Sequence, residues 1–204
     1  MDLVDGESLE KRLARKPLPF HDAVAVASRI ADALAFAHER GVAHQDLKPA
    51  NVMMSRRSVP VLVDWGIAGD ELRTGMGTPF YMAPERIASR TGDARPSDIF
   101  ALACILCEMT SGRTLLGGPL TAKDEAIEPG YLAAYANMAD EYREMMVHDL
   151  MIRSESLRFA RATASGVESK VLQLVFTMLA TDPARRPSAV EVARELRLSA
   201  GEAR

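Results

Sequence analysis

The apolar positions along the chain fall into distinct periods. From His21 to Glu39 the residues Val24, Ala27, Ile30, Ala31, Leu34 and Ala37 recur at threes and fours, the period of a helix with one buried stripe. Pro19 ahead of it and Gly41 behind it supply a start and a stop. Ser8 to Arg15 can form a shorter helix before it. Pro49 forbids a continuous helix through Val42 to Asn51. Val52-Met53-Met54 and Val59 to Val63 read as short strands about a turn at Ser55 to Ser58. From Asp64 to Glu85 periodicity is lost among Gly66, Gly69, Gly75, Gly77, Pro79 and Pro84, which predicts a long loop. Loops of that length usually carry function. Ile99 to Cys107 is then apolar without interruption, and the helix expected over 98–110 is apolar on nearly every side. Such a helix belongs in the middle of a domain, where each large side chain contributes roughly 1.5–3 kcal/mol on burial. Gly112, Gly117, Gly118 and Pro119 end it. The segment 121–165 is mixed and charged, with helix expected in its second half. Val171 to Ala180 and Ser188 to Leu198 read as amphipathic helices around the turn Asp182 to Pro187.

Composition narrows the class. A chain of 204 residues, 48% hydrophobic and 26% charged, is an ordinary globular domain, neither disordered nor collagenous. With 25 basic and 28 acidic side chains it has a formal charge of -3, which argues against a nucleic-acid partner or an anionic membrane surface. Cys104 and Cys107 both lie in the apolar helix, a position that suits buried free thiols rather than a disulfide framework or a zinc site. The acidic start of the chain has no basic region of a signal peptide, and no apolar run approaches the ~20 residues of a membrane span. The expected location is the cytoplasm.

Three polar positions carry candidate chemistry. Asp46 and Asn51 share the proline-interrupted loop, with Lys48 between them. Asp64 ends the strand Val61-Leu62-Val63 and precedes Trp65-Gly66. Magnesium takes one or two carboxylates together with phosphate oxygens and water, a role open to Asp64 and Asn51. Asp46 could accept a hydroxyl proton while Lys48 neutralises a phosphoryl group. Taken singly, Asp64 and Asn51 are ordinary turn residues, Lys48 a solvated lysine and His44 a packed core histidine.

Together these residues resemble a known family. His44-Gln45-Asp46-Leu47-Lys48-Pro49-Ala50-Asn51 resembles the catalytic loop (44–51) of protein kinases, and Asp64-Trp65-Gly66 their metal-binding triplet. Gly77 to Glu85 resembles the end of the activation segment (64–85). Asp98-Ile99-Phe100-Ala101-Leu102 resembles the start of the central helix, and Asp182 to Pro187 the turn before the last helix. Lys48 and Gly77-Thr78 are similar to the serine/threonine branch. The resemblance implies that 1–204 is the C-terminal lobe of a kinase domain: mainly α with short β hairpins around a central buried helix, an α+β family fold. It implies ATP and Mg2+ as cofactors and a protein Ser/Thr hydroxyl as acceptor. Asp46, Lys48 and Thr78 would be catalytic, and Asn51 and Asp64 would hold the metal. Residues 1–7 would be the hinge, with Asp2 and Val4 at the adenine, Met53 below the ring and Ser8 near the ribose. Asp98 would bind the catalytic-loop backbone, and Glu85 would pair with Arg186.

Departures from the family pattern carry their own expectations. Gln45 stands where many members have an arginine that captures an activation-loop phosphate; an amide has no charge to do so. Phosphomimetic change at Thr74 should therefore have little effect. Trp65 replaces the usual phenylalanine, and 121–165 reads as an insertion. The 204 residues contain no Gly-x-Gly-x-x-Gly and no Val-Ala-x-Lys. Little phosphotransfer is expected of this chain alone, and a second chain could supply an N-terminal lobe. The alternative is a non-catalytic, pseudokinase-like binding or scaffold module.

Overall fold

The structure, a computed structural model, describes residues 5–65, 81–87, 92–112 and 166–202. Asp2, Val4, Thr74, Thr78 and the segment 121–165 lie outside the described residues.

The chain enters through strand β1 (Gly6–Ser8) and passes directly into helix α1 (Leu9–Leu13). Ser8 makes that switch: its hydroxyl accepts the Lys11 N–H and caps the helix, while Leu9 and Leu13 turn into the core. Helix α2 (Phe20–His38) buries the stripe from Val24 to Ala37, as its period predicts, and the chain leaves it through Gly41 at φ 74°. A 3-10 turn (Pro49–Asn51) then leads into β2 (Val52–Ser55) and β3 (Pro60–Leu62). The three strands form one antiparallel sheet in the order β1-β2-β3, with Ser8 opposite Met53 and Val52 opposite Leu62. Pro60 is tolerated because β3 is an edge strand. Gly6 is required by proximity: a Cβ there would lie 2.0 Å from the Met54 carbonyl oxygen. β1 pairs with residues that the sequence pattern assigned only to a two-stranded hairpin.

Helix α3 (Pro84–Ile87) occupies the end of the stretch expected to be loop. Helix α4 (Arg95–Ser111) begins three residues before the expected Asp98, because Pro96 sits in its first turn, where no N–H is needed. Every residue from Ser97 to Met109 is buried. Gly112, left-handed at φ 68°, caps its end, and a side chain there would run into Pro17. Helix α5 (Gly166–Met178), a 3-10 turn (Pro183–Arg185) and helix α6 (Ala189–Glu202) complete the order. α6 runs back along α2: Arg197 pairs with Asp32, and the Ala200 carbonyl meets the His21 ring. The expected mainly helical lobe with short strands around a central helix is what the fold shows. One apolar core joins α2, α4, α5 and α6 to Leu9, Val52, Met54 and Leu62 beneath the sheet. The catalytic-loop candidates lie between that core and the β2–β3 hairpin.

Candidate active site

The loop 44–51 is anchored from below by one carboxylate. Asp98, in the first turn of α4 and 1% exposed, accepts the backbone N–H of His44 at 2.7 Å and of Gln45 at 2.8 Å. His38 Nε2 is 2.8 Å from the same carboxylate. These bonds hold Gln45 at φ 66°, a left-handed conformation that a non-glycine residue rarely adopts. The Asp98 role expected from the sequence is thus present. His38, which carried no functional signal in the sequence, proves to be its third partner. Its place at the end of the buried α2 stripe, one position past Ala37, was the only hint.

His44 ties this loop to the hairpin. Its Nε2 lies 3.0 Å from the Val63 carbonyl oxygen; a carbonyl only accepts, so Nε2 carries the proton. Nδ1 is buried with no partner among the described residues. Burial pushes the imidazole pKa down and outweighs the opposing pull of Asp98, so His44 stays neutral. A neutral, buried ring whose only proton is engaged is a structural tie rather than an acid or base.

Two residues on, the chain presents Asp46, whose carboxylate is about half exposed at 53%. Lys48 Nζ donates to Asp46 Oδ2 at 2.8 Å. The buried Asn51 amide donates twice, to the Asp46 carbonyl at 2.8 Å and to Asp46 Oδ2 at 3.0 Å. Both amide hydrogens are therefore spent, and Asn51 Oδ1 is left without a hydrogen bond among the described residues. Pro49 makes this possible: the 3-10 turn it starts folds Asn51 back over Asp46.

Asp64 reaches the same end of the hairpin through the backbone. Val63 N–H donates to the Asn51 carbonyl at 3.0 Å, continuing the β2–β3 ladder. Asp64 follows, exposed and left-handed at φ 56°. Trp65 then folds back: its indole N–H donates to the Leu62 carbonyl at 3.3 Å, and its ring lies 4.9 Å from the His44 ring, tilted by 42°. Among the expected site residues, Asp46, Lys48 and Asn51 are in direct contact, and Asp64 is joined to Asn51 through Val63. Ser8 and Met53 face each other across β1 and β2. Asp2, Val4 and Thr78 fall outside the described residues.

No cluster of three or more His, Cys, Asp or Glu side chains suited to a metal occurs among the described residues. Magnesium does not need one, since phosphate oxygens and water complete its shell. The Asn51 amide oxygen, without a hydrogen bond among the described residues, and the exposed carboxylate of Asp64 are both oxygen donors and fit that chemistry.

Two further buried polar constellations involve α4 or its neighbours. Arg186, fully buried, makes a bidentate pair with Glu85 at 2.6 and 2.8 Å. Burial alone would raise the Glu85 pKa, but the Arg186 hydrogen bond and charge outweigh it and hold the carboxyl below its usual range. Deeper in α4, Tyr81 donates to Glu108 Oε2 at 2.5 Å, while Glu108 Oε1 is buried without a partner among the described residues. Burial pushes Glu108 up to about 7. The sequence reading passed over Glu108, although a glutamate inside an all-apolar helix was the signal. Arg86 reaches Gln45 Oε1 at 3.4 Å, so the loop position that lacks an arginine has one beside it.

Comparison with known proteins shows the family of the chain. The profile of the protein kinase domain matches residues 1–196. The chain belongs to the protein kinase family. Among curated relatives, serine/threonine-protein kinase PknH of Mycobacterium bovis is 43% identical over 120 residues, 55% of this chain and 20% of PknH. Serine/threonine-protein kinase PknD of Mycobacterium tuberculosis is 42% identical over 122 residues, 55% of this chain and 18% of PknD. Serine/threonine-protein kinase PknE of the same species is 39% identical over 120 residues, 55% of this chain and 21% of PknE. These matches cover about a fifth of each relative's length. The Asp98 anchor and the Asp46–Asn51 contact lie within the residues that this profile matches. Among the described residues, no helix is long and apolar enough to cross a membrane.

Proposed function

We propose that this chain is the C-terminal lobe of an ATP-dependent serine/threonine protein kinase domain, which transfers the γ-phosphate of ATP to a protein hydroxyl. The observation that carries the reading is the contact set on Asp46. One carboxylate oxygen holds both Lys48 and Asn51, and the other has no hydrogen bond among the described residues. A carboxylate fixed by two neighbours and still half exposed can orient an incoming hydroxyl and accept its proton. Lys48 lies within reach of the same point and would neutralise the transferred phosphoryl group. Asn51 Oδ1 and the Asp64 carboxylate would hold Mg2+, which when bound neutralises charge on the phosphates. Thr78 would hydrogen-bond near Asp46 and Lys48. At the other end, residues 1–7 would form the hinge, with Asp2 and Val4 toward adenine, Met53 under the ring and Ser8 near the ribose. The Ser8–Met53 cross-strand pairing supports a shared role for those two.

The acceptor would be a Ser or Thr on a protein substrate, as the names of PknH, PknD and PknE suggest. Buried free thiols at Cys104 and Cys107 suit a reducing, cytoplasmic setting. The glycine-rich loop and the phosphate-gripping lysine are not among these 204 residues. Each preorganised donor that is lost costs ~10²–10³ in rate, so efficient transfer would need an N-terminal lobe in the same polypeptide or from a second chain.

The test compares the chain with its Asp46→Asn and Asp64→Asn variants. Mg-ATP at millimolar concentration should raise the melting temperature of the parent, and Asp64→Asn should remove the rise. With an N-terminal kinase lobe restored, Asp46→Asn should abolish phosphate transfer while leaving the melting temperature unchanged. Undiminished transfer by Asp46→Asn would refute the assignment. A flat thermal response with no transfer would favour a non-catalytic binding module.

A further inference from the structure

Where the end of α2 and the start of α4 meet the segment from Pro183 to Val190 there is a cavity of about 420 Å3, within the size range of small-molecule sites. Among the described residues, none assigned to phosphotransfer lines it. Its walls are apolar: Ala35, Ile99, Val190 and the flat rings of Pro96, Pro183 and Pro187. Val190, a large apolar side chain, is 50% exposed there. Most polar groups on the cavity are already engaged. Ser188 closes on Glu191 through both its N–H and its hydroxyl. Arg186 gives its N–H groups to Glu85 and to backbone carbonyls, and Asp93 pairs with Arg95 at 2.7 Å. One buried nitrogen is left. His38, with a side chain 10% exposed, lines the cavity and places Nε2 2.8 Å from Asp98 Oδ2. That oxygen also takes the His44 N–H, so it is an acceptor and Nε2 carries the proton. Nδ1 has no hydrogen bond among the described residues, and in the neutral ring it accepts. An apolar cavity with one unmet acceptor suits a ligand that brings a donor, because a buried polar group without a partner is costly. Glu39, exposed on the rim, disfavours an anion.

We propose that this cavity binds a small, uncharged aromatic molecule carrying one hydroxyl or N–H donor, which lies among the proline rings and hydrogen-bonds to His38 Nδ1. The site needs no phosphotransfer by the chain, but it touches the loop that carries Asp46. His38 holds Asp98 through Nε2, and Asp98 holds the backbone N–H groups of His44 and Gln45. A ligand on Nδ1 fixes the ring from its other side, so it should slow hydrogen exchange at those two amides.

Indole and benzofuran test this directly, since they share a shape and differ in one N–H. The whole chain is titrated with each and followed by amide NMR. Indole should saturate, with shifts centred on Ala35, His38, Ile99 and Val190. Benzofuran should bind at the same place about fivefold more weakly, the effect of losing one neutral hydrogen bond. Benzoate should bind no better than benzofuran. Failure of indole to saturate, shifts centred elsewhere, or equal affinity for indole and benzofuran would overturn the proposal. In His38→Phe the preference for indole over benzofuran should vanish; a preserved preference overturns the His38 contact. Val190→Trp, at an exposed position that tolerates a larger side chain, gives a second variant should His38→Phe not fold. It should fill the mouth of the cavity and block indole, and unchanged affinity would place the ligand elsewhere. At saturating indole, exchange should slow at His44 and Gln45 and stay unchanged in Val52–Ser55. Unslowed exchange at His44 and Gln45 would overturn the grip through His38.

Discussion

Replacing Arg186 with methionine tests the buried ion pair that ties Glu85 to the turn before α6. The guanidinium offers five N–H groups, and all five are engaged. Two go to Glu85, at 2.6 and 2.8 Å. The others go to the carbonyls of Pro96, Thr181 and Ala180, at 3.0, 3.4 and 2.8 Å. Arg186→Met leaves a buried carboxylate with Ser97 as its remaining side-chain donor, at 2.8 Å. Removing one partner of a buried pair typically costs about 3–5 kcal/mol. Against a whole-domain stability of ~5–15 kcal/mol, that is a large fraction. Equilibrium urea unfolding at pH 7 should show the loss as a lower midpoint with an unchanged slope. Replacing Glu85 and Arg186 together with apolar residues should cost less than the two single changes summed, because no charge is then stranded. The pH dependence has a definite sign. The folded Glu85 carboxyl lies below its ordinary 4.5, so the pair's contribution is present above that value and is lost as pH falls through the folded value. The gap between parent and Arg186→Met should therefore narrow in acid. A cost below about 1 kcal/mol at neutral pH, the level of an exposed pair, would refute the reasoning.

Other expectations follow from the same geometry. Glu108 titrates near 7 when folded and near 4.5 when unfolded, so stability should fall as pH rises between these values; Glu108→Gln should flatten that slope in urea midpoints taken at pH 5 and 8. Tyr81→Phe removes the hydroxyl that donates to Glu108 Oε2 and should cost about 1–3 kcal/mol by the same measurement. Asp98→Ala strips the acceptor from two loop N–H groups and from His38, and should destabilise by at least ~3 kcal/mol and expose the 44–51 amides to hydrogen exchange. Cys107, pushed up to about 12 by burial, and Cys104, also raised by burial, should resist iodoacetamide in the native chain and react only on unfolding.

Sequence reasoning reached furthest where a local rule had one outcome. The threefold and fourfold spacing from Val24 to Ala37 could only be an amphipathic helix, and α2 buries that stripe. The uninterrupted apolar run reads as central, and α4 is buried from Ser97 to Met109. Pro96 shows the limit of pattern: the apolar run placed the helix start at Asp98, but Pro96 serves as a first-turn residue and the helix begins at Arg95. β1 was invisible because three residues, Gly-Glu-Ser, carry no strand period; they pair only because β2 offers an edge.

The same division runs through the candidate site. The order and spacing of Asp46, Lys48, Asn51 and Asp64 are properties of the sequence, and they marked these residues as the candidates for phosphoryl chemistry. Only the tertiary structure decided that Asn51 spends both amide hydrogens on Asp46, that His38 shares Asp98 with the loop, and that Trp65 meets His44. Those contacts join positions up to 60 residues apart in the chain. No local propensity encodes them, because a hydrogen bond needs its partner within about 3 Å and only a packed core brings distant segments that close.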